Sequence, residues 1–230
     1  MKKIGLIGGT SWVSTIDYYR IINTQVNEKR GGNESASIIL HSVNYGEIVS
    51  LTTKGDWDAI AAIVCAAAKQ AEDAGAGCLL LCANTMHKIA DKVQAAISIP
   101  LIHIATVTAT AIRQKGISNV LLLGTRYTML GGFYEKALQK EGISMVIPAP
   151  GTIDFVNNTI YNELGKNVFL PETKQAYLDI ISQFAAAGAE GVILGCTEIP
   201  LLLKQEDSAL PVFDTLLLHA TAAVDFALKE

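Results

Sequence analysis

No stretch of this chain stays apolar for the roughly 18 residues that a membrane-spanning helix needs, although half of its 230 residues are hydrophobic. The start, Met1-Lys2-Lys3, leads straight into strand-like Ile4-Gly5-Leu6-Ile7 and lacks the apolar core of a signal peptide. A cytoplasmic protein with no membrane partner is expected. Cysteine is sparse: Cys65, Cys78, Cys82 and Cys196 make no Cys-x-x-Cys pair, which speaks against a disulfide framework or a zinc ribbon and for reduced thiols. Charge is low as well. A net charge of -4 with scattered Lys and Arg offers no basic stripe to grip a phosphate backbone, so nucleic acid is a poor candidate partner. There is no low-complexity tract, and the richest turn region, Pro148-Ala-Pro150-Gly151-Thr152, reads as a loop.

What is present is alternation. Short runs rich in Ile, Val and Leu alternate with helix-length amphipathic segments, the pattern of βα units and a parallel sheet, so the fold class is α/β. Strands are predicted near residues 3–8, 36–42, 77–82, 119–123 and 191–195. Helices are predicted over Ile16 to Glu28, Trp57 to Ala74, Arg126 to Lys140 and Thr173 to Ala187. The second half also re-uses the punctuation of the first. Ile4-Gly-Leu-Ile-Gly8 matches Val120-Leu-Leu-Leu-Gly124, both strands running into a glycine turn. Ala74-Gly75-Ala76-Gly77-Cys78-Leu-Leu-Leu-Cys82-Ala83-Asn84-Thr85 matches Ala187-Gly188-Ala189-Glu190-Gly191-Val-Ile-Leu-Gly195-Cys196-Thr197-Glu198 without a gap. Ile99-Pro100-Leu101-Ile102 matches Leu210-Pro211-Val212-Phe213. Three matches in order predict an internal duplication, and in open parallel sheets ligands bind at the carboxyl ends of strands. A cleft between duplicated halves is the expected site.

Several residues at those strand ends carry usable chemistry. No Gly-x-Gly-x-x-Gly can be drawn through Gly8-Gly9-Thr10-Ser11, because Thr10 stands where the second glycine should be, so no dinucleotide cofactor is expected. The amides of that turn and the Thr10 and Ser11 hydroxyls suit a small carboxylate, and Asn84-Thr85 and Thr197-Glu198 offer similar donors. Cys196 ends a buried-looking strand, where a helix N-terminus would depress its pKa from about 8.5 and make it an acid or base near neutral pH. Cys65 and Cys78 read as inert packing. Cys82 and Ala83 are neighbours on a strand end and cannot share a face; the ungapped repeat aligns Ala83 with Cys196. His41, His87, His103 and His219 fall on different elements with no metal-ligand spacing and are expected to be hydrogen-bonded structural residues, His87 being the one nearest a motif.

Gly5-Leu-Ile-Gly-Gly-Thr-Ser-Trp12, Cys82-Ala-Asn-Thr-Met-His87, Leu122-Leu-Gly-Thr-Arg-Tyr-Thr128, Leu194-Gly-Cys-Thr-Glu-Ile199 and Leu210-Pro-Val-Phe-Asp-Thr215 together resemble the aspartate/glutamate racemase family, nearly end to end. The resemblance implies two similar Rossmann-like lobes related by a pseudo-twofold, residues 1–106 with 214–230 and residues 107–213, the last helix crossing back to the first lobe. It implies a homodimer, a small amino acid as substrate and no cofactor, pyridoxal phosphate included. It implies catalytic acid/base groups at position 83 and at Cys196, a substrate α-carboxylate held by Thr10, Asn84, Thr85 and Thr197, and Lys166 reaching a substrate carboxylate.

One position departs from the family pattern. Position 83 is Ala where the family has Cys or Thr, and a methyl group carries no exchangeable proton. A racemase disabled at this position, a one-thiol enzyme of the arylmalonate decarboxylase type, and a binding protein that has lost catalysis are the three readings that follow.

Overall fold

Ile4–Gly8 forms the first strand, β1, and every residue in it is buried, as expected of a parallel strand covered on both faces. The computed structural model describes residues 1–229. After β1 come helix α1 (Trp12–Arg30), strand β2 (Ile38–Ser42), helices α2 (Tyr45–Lys54) and α3 (Trp57–Asp73), and strand β3 (Cys78–Leu81). A 3-10 turn over Asn84–Ile89 runs into helix α4 (Ala90–Ala96). β2, β1 and β3 pair in parallel in that order, and Leu101 adds an isolated parallel bridge to Leu79. Ile60, Ala61, Val64, Ala67, Ala68 and Ala71 of α3 form the buried stripe that a 3.6-residue period produces, and they pack on Ile7, Leu79 and Leu81. These elements form one compact unit, residues 1–103, completed by the chain from His219 onward.

The second unit, residues 104–218, opens with helix α5 (Ile104–Gln114). It continues with strand β4 (Asn119–Gly124), helices α6 (Arg126–Leu130) and α7 (Phe133–Lys140), strand β5 (Ser144–Val146) and helix α8 (Pro150–Asn162). A 3-10 turn over Leu164–Lys166 leads to helix α9 (Pro171–Ala186), strand β6 (Gly191–Gly195), helix α10 (Ile199–Leu202) and strand β7 (Val212–Asp214). Helix α11 (Thr215–Leu228) closes the chain. The parallel sheet has the order β5-β4-β6-β7. With Leu101 counted beside β3, each unit has the same order: second strand, first, third, fourth. The hydrogen bonds repeat as well. Leu79 N–H donates to the Pro100 carbonyl (3.0 Å) and Val192 N–H to that of Pro211 (2.9 Å); Gly77 N–H donates to Lys3 and Glu190 N–H to Asn119, each at 2.8 Å.

Two expectations need correction. The helix expected over Arg126 to Lys140 breaks in two at Gly131-Gly132: Gly132 has φ +75, and a Cβ on Gly131 would lie 2.3 Å from the Tyr127 carbonyl. The turn-rich segment at Pro148 to Thr152 is the start of α8, where Pro150 stands in the first turn and needs no hydrogen-bond partner for its nitrogen. α2, for which no helix was predicted, is capped by Asn44 Oδ1, which accepts from the Gly46 (2.9 Å) and Glu47 (3.3 Å) amides. Among the described residues no helix is long and apolar enough to cross a membrane.

Candidate active site

In the first unit the candidate residues gather where β1 and β3 end. Gly9 follows β1 with φ +80, and a Cβ there would lie 2.1 Å from the Val43 carbonyl, so only glycine fits. Its N–H donates to Thr15 Oγ1 (3.0 Å), and that hydroxyl donates to the Ser11 carbonyl (2.8 Å). The Gly9 amide is therefore engaged internally, contrary to the expectation that it would serve an anion. The Thr10 hydroxyl is buried and has no hydrogen-bond partner. Ser14 Oγ lies 3.1 Å from the Ser11 carbonyl and 3.2 Å from the Cys82 carbonyl, tying the turn after β1 to the end of β3.

Strand alternation sorts the residues around position 83. Leu79, Leu81 and Ala83 share one apolar cluster with α3, while Cys82 lies fully buried outside it. Burial pushes the Cys82 thiol far above its ordinary range. Ala83 is extended (φ -154) and caps the 3-10 turn in which Asn84 and His87 are buried and Thr85 half-buried. His87 Nδ1 donates to the Ala83 carbonyl (3.1 Å), which fixes its tautomer because a carbonyl only accepts.

Spacing alone gave no hint that His87, His103 and His219 meet. The His87 ring centroid lies 4.7 Å from that of His103 and 5.4 Å from that of His219. His219 Nε2 donates to the Ile102 carbonyl (2.6 Å), so its Nδ1 accepts from the Tyr18 hydroxyl (2.8 Å). Burial, with the neighbouring imidazoles, holds His87 well below the usual histidine range, and burial takes His219 down to about 3. His87 and His219 are neutral, hydrogen-bonded core residues, and the half-buried His103 packs against the His87 ring. Among the described residues no group of three or more His, Cys, Asp or Glu is arranged to hold a metal ion.

In the second unit β6 ends at Gly195, where a Cβ would meet Leu122 Cδ1 at 2.8 Å and the Leu123 carbonyl at 3.0 Å. Cys196 follows, buried, and its thiol donates to Glu198 Oε2 (2.9 Å); the Thr197 hydroxyl donates to the same oxygen (2.9 Å). Burial and the Glu198 carboxylate push the Cys196 thiol well above its ordinary range, and the Thr197 and Glu198 amides pull the other way without prevailing. The expectation of a depressed Cys196 pKa is overturned: desolvation and a like charge outweigh the amides after the strand. Glu198, the fourth residue of Gly-Cys-Thr-Glu, is the side chain that sequence reading gave least; its motif position was the available signal. Tyr177 is buried nearby, its hydroxyl 2.9 Å from Thr159 Oγ1, and it interacts electrostatically with Cys196. Lys166 is exposed and ends the 3-10 turn that packs on α10, beside Asn167 in the left-handed conformation. Cys65 is half-buried and Cys78 buried, with burial pushing Cys78 up to about 12.

The pattern of the Asp/Glu/Hydantoin racemase family matches residues 7–223. The chain belongs to that family. A solved candidate Asp/Glu racemase from Yersinia pestis is 48% identical, with a TM-score of 0.93 and complete coverage of both chains. An aspartate racemase homologue from Pyrococcus horikoshii OT3 is 34% identical with a TM-score of 0.85, again over the whole of both. The broad specificity amino-acid racemase RacX of Bacillus subtilis (strain 168) is 26% identical over 160 residues, 70% of this chain and 69% of RacX. Its membership puts this racemase-family chain among the isomerases.

Proposed function

We propose that this protein is a cofactor-independent amino-acid racemase by descent, acting on aspartate, glutamate or both, in which Ala83 has removed one of two acid/base groups. The observation that carries the reading is Cys196, a buried thiol at the end of β6, bonded to a carboxylate and faced by two backbone amides. Inversion at an α-carbon without a cofactor needs one group to take the proton and another to supply one from the opposite face. Cys196 fills one role. Ala83, packed in an apolar cluster, leaves the other vacant, and Cys82 on the opposite strand face does not replace it. Thr10, Asn84 and Thr85 hold the substrate α-carboxylate, Lys166 reaches a substrate carboxylate, and the protein works as a cytoplasmic homodimer; Thr197, expected to join the carboxylate donors, instead gives its hydroxyl proton to Glu198 Oε2. The partnerless Thr10 hydroxyl supports the carboxylate assignment, since a buried hydroxyl without a partner gains most from a ligand that accepts from it.

The test uses the chain as it is. With single enantiomers of aspartate and glutamate in D2O, NMR should show deuterium entering at Cα for one enantiomer while optical rotation stays nearly constant. Brisk loss of rotation would sink the claim of inactivation, and no exchange with any common amino acid would sink the racemase reading.

A second reading, one-thiol decarboxylation, is favoured by one feature: an apolar methyl stands at position 83 where an acid/base would be. Release of carbon dioxide from disubstituted malonates would support it, and its absence would remove it.

A further inference from the structure

Resting on that reading of Cys196, we propose that Glu198 is the terminal proton acceptor of the site and that Cys196 relays protons between the substrate α-carbon and the Glu198 carboxylate. The geometry is a single chain of contacts. The Cys196 thiol donates to Glu198 Oε2 at 2.9 Å, and the Thr197 hydroxyl donates to the same oxygen at 2.9 Å. All three side chains are buried, exposed by 7%, 6% and 5% for Cys196, Thr197 and Glu198. A thiol next to a buried carboxylate does not release its proton to water readily, because a thiolate there would face a second negative charge. It passes the proton to the carboxylate instead.

The step balances. As the α C–H bond breaks, an S–H bond forms on Cys196; the original S–H bond breaks and an O–H bond forms on Glu198. The electron pair stays on Cα, and the site gains one proton without ever holding thiolate and carboxylate together. In the return step the Glu198 proton moves to sulfur and the sulfur proton to carbon. Thr197 fixes which oxygen of Glu198 meets the thiol. The Thr197 and Glu198 amides donate to the sulfur and stabilise the charge that builds on it during transfer.

The other ionisable groups around the pair do not offer the same service. Tyr177 of α9 is held up by burial and keeps its proton, with its hydroxyl committed to Thr159 and the Val156 carbonyl. Glu163 accepts from Thr173 (2.6 Å). Lys166, on the turn packed against α10, is exposed, and Asp214 of β7 caps α11 by accepting from the Leu216 and Leu217 amides.

The test is a pH profile of Cα deuterium exchange for the wild type, Glu198→Gln, Glu198→Asp and Cys196→Ala, with alkylation of Cys196 followed by mass spectrometry across the same pH range. The wild type should exchange at a rate that is level around neutrality. Glu198→Gln should fall roughly 100-fold at pH 7, the lower end of general-base effects, and then climb about tenfold per pH unit, because only free thiolate is left to act. A merely structural role would lower the rate by one factor at every pH. Glu198→Asp should keep the level profile at reduced height. Alkylation should show Glu198→Gln ionising Cys196 at least one pH unit lower than the wild type, which holds whatever the substrate is. A level neutral rate in Glu198→Gln, or an unchanged Cys196 titration, overturns the relay. Exchange that survives Cys196→Ala overturns the underlying reading of Cys196, and the alkylation profile still decides whether the pair is coupled.

Discussion

Thr10 shows most plainly what one side chain does here. Its hydroxyl is buried and partnerless, a condition that costs about 1–3 kcal/mol in desolvation. Thr10→Val keeps the shape and removes that cost, so urea unfolding should find the variant as stable as the parent or up to about 1 kcal/mol more so, while calorimetry should find aspartate binding weakened roughly tenfold. A clear loss of stability would mean that the hydroxyl has an internal partner. Position 83 makes the complementary case. Ala83→Cys should restore inversion in both directions, by at least about 100-fold over the parent in a polarimetric assay, and adding Cys196→Ala should abolish both inversion and exchange; inversion without Cys196 would remove it from the mechanism. The sequence singled these residues out as candidates through the Gly-Gly-Thr, Asn-Thr and Gly-Cys-Thr motifs. The ionisation of Cys196 was not, because it depends on burial and on a carboxylate two residues along that turns back to the sulfur. The meeting of His87, His103 and His219 was also invisible, since each ring comes from a different part of the chain.

At the scale of elements, strands were easier to read than helices. β1, β4 and β6 are buried along nearly their whole length, so their runs of Ile, Leu and Val stand out. β5 and β7, of three residues each, are too short to show a pattern. α2 escaped because it buries fully only Ile48, and α8 because Pro150-Gly151 looks like a turn until the buried Ile153, Val156 and Ile160 are seen on one face. The tight joins between elements are where substitution should tell. Gly9→Ala puts a side chain at φ +80 with a Cβ 2.1 Å from the Val43 carbonyl. Left-handed strain of about 1–2 kcal/mol and overpacking of about 1–3 kcal/mol should lower unfolding stability by roughly 2 kcal/mol or more. An Ala variant within about 0.5 kcal/mol of the parent would mean that the turn after β1 relaxes freely.

Across the whole molecule the duplication is written in hydrogen bonds as well as in letters. Gln94 accepts from the Leu101 amide (2.8 Å) and donates to the Ile99 carbonyl (3.0 Å). Gln205 does the same with Val212 (2.8 Å) and Leu210 (3.1 Å). The repeated Ile-Pro-Leu and Leu-Pro-Val signals, legible in the sequence, thus stand on segments whose backbones are braced alike. Titration gives a molecule-wide consequence. His219, at about 3 in the folded protein against the usual 6.5, and His87, well below 6.5, are neutral when folded and take up protons when unfolded. Below pH 6.5 the unfolded chain therefore binds more protons, and stability falls as pH falls, by about 1.4 kcal/mol per pH unit for each histidine. At the alkaline end the signs reverse. Burial raises Cys78 to about 12 from 9.0, and raises Cys82, Cys196, Tyr134 and Tyr177 as well. Their contribution is complete below the unfolded values and is lost as pH rises past about 9, where the unfolded chain gives up protons that the folded one keeps. Urea unfolding at pH 5, 7.5 and 10 should thus give a maximum in the middle, with His219→Gln flattening the acid limb. A stability that stays level between pH 7.5 and 5 would mean that the imidazole cluster opens to water and takes its charge in place.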